Sequence, residues 1–137
     1  MGTTLTEQEV MEAAGQIVRA YAAMDAQAYF TAFDPKATFL FHSSPSRLGS
    51  RREYEEQWDS WVSGGWKVVS CHSTDPFVQL LGSVAIFSHS VHTVIEEGGV
   101  SASTTERETI VFSRTGDAGI TAVHEHLSPT LAEGAEQ

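Results

Sequence analysis

Two periodicities divide this chain, and the boundary between them is the glycine pair Gly64-Gly65. Before it, apolar residues recur mainly at helical spacing. From Trp66 onward they come in short runs rich in Val, Ile, Thr and Phe, separated by turn residues. Helices gathered first and strands gathered after is an α+β order, not the alternation that builds a parallel sheet. Strands joined by such short turns pair antiparallel, because a parallel partner needs a long crossover. A bent sheet that closes only partly has its concave side covered by the helices. A cavity remains wherever the side chains fail to meet.

Local signals place the elements. Thr6 followed by Glu9 is a capping box, and Val10, Ala13, Ala14, Ile17, Val18 and Tyr21 then make one apolar stripe. Asp25 caps a short helix expected over 25–33, with Pro35 closing it. Residues 37–42 (ATFLFH) read as a buried strand and 43–49 as loop. Ser50 with Glu53 caps a third helix through Trp61, on which Tyr54, Trp58 and Trp61 share one face. Strands are expected over 67–70, 77–81, 84–96, 100–114 and 120–128, the two longest suiting a strongly bent, bulged sheet. Turns fall at 82–83, 97–99 and 115–119. The whole reads as a single domain over 1–137, with its core at about 6–128 and a small, acidic tail over 129–137 expected to fray.

Charge narrows the partners. The chain carries 18 acidic against 8 basic residues, a formal net charge of -10. Such a surface repels phosphate backbones and anionic lipid, so neither nucleic acid nor a membrane surface is expected as a partner. No apolar run reaches the roughly 18 residues of a membrane helix, and residues 1–6 show no secretory signal. Cys71 is the single cysteine, which excludes an internal disulfide. A cytoplasmic location follows as the expectation. There is no Gly-rich phosphate loop or dinucleotide fingerprint, and no cofactor is expected.

The stretch RAYAAMDAQAYFTAFDPKATF, Arg19 to Phe39, resembles the opening of SnoaL-like and ketosteroid-isomerase-like proteins. Asp75-Pro76 with Leu80-Leu81-Gly82 resembles a strand and turn of the association domain of calcium/calmodulin-dependent protein kinase type II. Glu108-Thr109 leading to Val123-His124-Glu125-His126-Leu127-Ser128 resembles the last hairpin of that domain, and Trp61 matches a tryptophan late in its third helix. The resemblance covers roughly 7–128. It implies a nuclear-transport-factor-2-like, cystatin-like fold: a cone-like, curved, mixed but mostly antiparallel sheet wrapped around N-terminal helices. Relatives of this kind include isomerases, cyclases, dehydratases, epoxide hydrolases and members that only bind or assemble. Ketosteroid isomerases keep a carboxylate base on the strand that here ends in Phe41-His42, where this chain has no acid. The arginines of the kinase association domain fall on Ser90, Ile110 and Leu127. Neither the steroid chemistry nor the anion site carries over.

If the pocket parity of the relatives holds, the concave face carries Glu125 from the last strand, and Ser88, Ser90 and His92 from the strand over 84–96. A carboxylate in an apolar cavity has its pKa raised, and an imidazole nearby completes an acid–base pair. Glu125 and His42, the latter by the cavity mouth, are therefore the candidate proton-transfer residues, with Tyr54, Trp58, Ser90 and His92 shaping the pocket. Each has a plainer reading: the aromatic stripe as core packing, and Glu125 as a paired or solvated sheet residue. His124 and His126 share the opposite face of their strand. Two histidines without a third ligand fall short of a zinc site, so no metal is expected. In relatives the outer sheet face packs against a second subunit, which implies a homodimer. The resulting expectation is a binder of a small apolar or aromatic molecule in an apolar pocket, acting by acid–base chemistry if catalytic. The alternative is a non-catalytic association module.

Overall fold

The computed structural model describes residues 4–114 and 119–130. Among them, three helices and five strands run in the order α1 (Glu7–Ala22), α2 (Ala26–Thr31), β1 (Phe33–Phe41), α3 (Arg51–Ser63), β2 (Trp66–Leu81), β3 (Val84–Glu97), β4 (Val100–Arg114) and β5 (Ile120–Pro129). Most of the expected turn at 115–119, and the tail from 131 on, lie outside the described residues.

Capping chemistry sets the helix starts. Thr6 Oγ1 accepts the Glu9 N–H at 3.1 Å, and the Glu9 carboxylate accepts the Thr6 N–H at 3.1 Å. Asp25 caps α2 through the Ala28 N–H, and Ser50 caps α3 through the Glu53 N–H, both at 3.2 Å. From α1, the side chains of Val10, Ala14, Ile17 and Ala20 turn inward.

Two boundaries differ from the sequence reading, and each has a physical cause. The second helix stops at Thr31, and β1 begins at Phe33 rather than at 37. Phe33 is buried and pairs with Ala122, which draws the chain into the sheet early. Pro35 is tolerated because β1 is an edge strand whose register slips between Phe33 and Thr38. The runs at 67–70 and 77–81 are one strand, β2, bulged between Val68 and Ser70 and between Thr74 and Phe77. Asp75 and Pro76 break the strand pattern by residue type, yet they sit at the second bulge, where Asp75 takes a left-handed φ of 54°.

The sheet order is β1-β5-β4-β3-β2; β1 pairs with β5 in parallel and every other pair is antiparallel. Between β3 and β4 the chain reverses at Gly98-Gly99, with φ of 59° and 84°. Two consecutive left-handed residues match the twist of a tight hairpin, and glycine takes that shape without a Cβ penalty.

Alternation along the strands sets the concave face. It carries Ala85, Phe87, His89, Val91 and Thr93 from β3, and Glu108, Ile110 and Phe112 from β4. On β5 a register shift opposite Val111/Phe112 leaves Val123 unpaired. That extra residue turns both Ala122 and Glu125 inward, although they are an odd number apart. The helices close one end of this cup. Tyr29 contacts Phe30, Phe33, Tyr54 and Trp58 ring to ring, and its hydroxyl meets that of Tyr54 at 2.8 Å. Arg114 grips the Glu9 carboxylate at 2.7 Å, fastening the end of β4 to the start of α1. Among the described residues, no helix is long and apolar enough to cross a membrane.

Candidate functional site

Beyond the packed end of the cup, the side chains stop meeting and a cavity of about 260 Å3 remains. Tyr21 from α1, Tyr54 and Trp61 from α3, and Trp66 at the start of β2 wall one side. Glu106 and Glu108 from β4 and Glu125 from β5 line it as well. Aliphatic side chains such as Ile17, Val91 and Leu127 complete the wall, so aromatic and aliphatic groups surround the carboxyls.

Glu125 is the centre of this arrangement. It is 2% exposed, and its Oε1 has no hydrogen-bond partner in the protein. Burial pushes its carboxyl well above the usual carboxylate range, and the charges of Glu108 and Glu106 push the same way. Burial alone would raise Glu108 too. Its hydrogen bonds from Glu125 and His89, with the electrostatic pull of His89, outweigh that and hold it below its ordinary value. The two carboxyls are thus pushed apart, Glu125 toward its protonated form and Glu108 toward its ionised form.

A polar chain extends behind this pair. His89 Nε2–H donates to Glu108 Oε1 at 2.6 Å, and His89 Nδ1 meets Ser73 Oγ at 2.6 Å. The His89 side chain is fully buried, whereas Ser73 is exposed on β2. At the rim, His42 Nε2 lies 2.5 Å from Glu106 Oε2. Burial raises the hydroxyls of Tyr29 and Tyr54 far above their ordinary value, so both stay protonated. The thiol of Cys71, another wall residue, is also pushed up by burial and is no ready nucleophile.

The SnoaL-like domain model matches residues 10–132, nearly the whole chain. The chain belongs to the SnoaL-like domain family. No curated protein matches this sequence. Solved structures agree on the SnoaL-like fold. A nuclear transport factor 2 (NTF2-like) superfamily protein from Salmonella enterica serovar Typhimurium superposes with a TM-score of 0.81 at 18% identity, covering 95% of this chain and 94% of its own. The CaMKII hub of S. rosetta gives 0.74 at 23% identity, covering 90% and 95%. A putative calcium/calmodulin dependent protein kinase II association domain from Xanthomonas campestris gives 0.76 at 17%, covering 95% and 91%.

Set on the SnoaL-like cup, the expected site residues separate. Glu125 and Tyr54 line the cavity, and His42 reaches its rim through Glu106. Trp58 is buried behind the wall, against Tyr21, Tyr29, Phe30 and Trp66; Trp61 and Trp66 face the cavity in its place. The expected facing of Ser90 and His92 is corrected: both stand on the convex face, with Ser88, and His92 bonds Thr105 there at 3.0 Å. β3 pairs with β4 without a bulge, so a single phase holds along it, and that phase puts the odd-numbered residues inside. His124 and His126 are convex, with His124 Nδ1 held by Thr38 Oγ1 at 2.8 Å. Burial, then the neighbouring His126, lowers the His124 pKa. Among the described residues, no group of three or more His, Cys, Asp or Glu side chains is placed to hold a metal ion.

Sequence reasoning missed Glu108, His89, Ser73 and Glu106. A signal for them existed. Ala85, Phe87, Val91 and Ile95 form the more apolar alternate row of β3, and His89 stands in that row. On β4, Glu106 and Glu108 share the row of Ile110 and Phe112.

Proposed function

We propose that this SnoaL-like domain binds a small molecule with an apolar or aromatic body in the cavity and transfers a proton on it without an organic cofactor. The single observation that carries this reading is Glu125: a buried carboxyl with an unpartnered oxygen, in the wall of a cavity large enough for a guest. Protonated, Glu125 is a general acid; with its proton released, the Glu108–Glu125 pair is the base. His89 orients Glu108 from behind, and His42 with Glu106 forms a second proton carrier at the rim. Isomerisation, cyclisation, dehydration and hydrolysis all fit such a pair.

Thermal-shift screening against small acids, ketones, amines and aromatics tests the binding, since a ligand of the folded state raises its melting temperature. Compounds that stabilise are then assayed for turnover. Glu125→Gln should abolish that turnover while the variant still folds, and full retained activity would end the catalytic role.

A second reading is an association module, favoured by the likeness to the S. rosetta hub and by apolar side chains on the convex face. Phe77 is 66% exposed there and Leu81 52%. A homodimer through this face suits both readings. Sedimentation showing a larger closed assembly, with no ligand from the screen, would favour the module.

A further inference from the structure

The charge around the cavity selects among possible guests. Glu97, Glu106, Glu108 and Glu125 line it, and among the described residues no lysine or arginine does. The basic groups nearest these carboxylates are already engaged, His42 by Glu106 and His89 by Glu108. Glu125 Oε1, buried and unbonded, lacks a hydrogen-bond donor. The rings of Tyr21, Tyr54, Trp61 and Trp66 line the same cavity, and the π face of such a ring attracts a cation.

We propose that the guest is an organic cation, an alkylammonium with an aromatic or aliphatic body, whose N–H pairs with the Glu125 carboxyl and whose body lies against the rings. This rests on the reading of the cavity as a binding site. An anion would meet the carboxylates and be repelled. A neutral alcohol could donate to Glu125 but would form neither an ion pair with it nor a cation–π contact with the rings.

Binding of a cation has a proton consequence. The ionisable groups facing Glu125 are Glu106 and Glu108 from β4, His89 and Glu97 from β3, Cys71 from β2, and the hydroxyls of Tyr21, Tyr29 and Tyr54 from the helices, with His42 at the rim after β1. In the empty site Glu125 keeps its proton against these neighbouring carboxylates. An ammonium beside it reverses that balance. Cation in and proton out leaves the charge of the site unchanged.

Calorimetric titration of the full chain near neutral pH tests this with three probes that share one ring: benzylamine, benzyl alcohol and benzoate. Benzylamine should bind about tenfold or more tightly than benzyl alcohol, with benzoate weakest. Its apparent heat should differ between phosphate and Tris buffers, because released protons are taken up by the buffer. In Glu125→Gln both the buffer dependence and the preference should disappear. If that variant does not fold, Glu106→Gln carries the same test: benzylamine weakens and benzyl alcohol does not.

Equal or tighter binding of benzyl alcohol or benzoate overturns the cation and leaves the cavity a binding site. A preference for benzylamine that is buffer-independent and survives in Glu125→Gln overturns the seat on Glu125. Absence of heat from all three probes also overturns this inference. The broader thermal-shift screen then decides separately whether the binding reading falls with it.

Discussion

Along β4 the inward residues run Phe112, Ile110, Glu108, Glu106, and in those four positions the cup changes character. At the Phe112 end, Phe33, Phe39, Phe87 and Ala85 are all under 3% exposed and the helices press directly on the sheet. At the Glu106 end the same strands face a hollow edged by carboxyls and indoles. The strands are common to both, so the difference lies in their side chains and in the register shift at Val123 that turns Glu125 inward. Where rings interdigitate, the face supplies stability; where acids replace them, it leaves room for a guest.

Truncation should separate the two ends most sharply. Phe112→Ala opens a void in the packed end and should cost about 3–5 kcal/mol in urea denaturation. Leu127→Ala already faces empty space in the cavity wall and should cost about 1 kcal/mol. Equal losses would break the distinction.

The acid end should reveal itself through pH. An unfolded glutamate releases its proton near the ordinary 4.5, whereas folded Glu125 keeps its proton to higher pH. The folded state then binds more protons, so this group's stabilisation is lost as pH rises through its raised titration, by up to about 1.4 kcal/mol per pH unit. Glu108 has the opposite sign: it is held low, and its contribution is lost as pH falls through its own titration. Melting temperatures from about pH 5 to pH 8 isolate Glu125, since the wild type should decline more steeply than Glu125→Gln. Parallel profiles would mean that Glu125 is ionised in the folded protein.

The smallest effect belongs to the outer end of the polar chain. Ser73→Ala removes the partner of His89 Nδ1 and should cost about 0.5–1.5 kcal/mol by chemical denaturation. A shift of the His89 ring resonances by NMR should accompany it. Unchanged resonances would detach Ser73 from the site.

The fold was largely legible because its signals are local. Thr6 with Glu9, Ser50 with Glu53, and Gly98-Gly99 each act within a few residues, and the structure uses all three. The site was harder to read because it depends on phase across strands. Glu125 faces inward only because Val123 is squeezed out of register against β4, a fact of pairing that no single strand displays. His89 looked like one histidine among several; only the row of Phe87 and Val91 distinguishes it. Trp58 and Trp61 share a helix face in sequence, yet one faces the cluster around Tyr29 and the other the cavity, a distinction set by where the sheet curves away.

Both outermost strands carry a proline, Pro35 in β1 and Pro76 in β2, and β1 is further shielded where Phe39 bonds Leu48 in both directions at 2.9 and 3.0 Å. A proline has no N–H to offer a newcomer, and the kink beside Asp75 bends β2 out of template shape. Fibril-like growth by edge addition is thereby blocked on each flank.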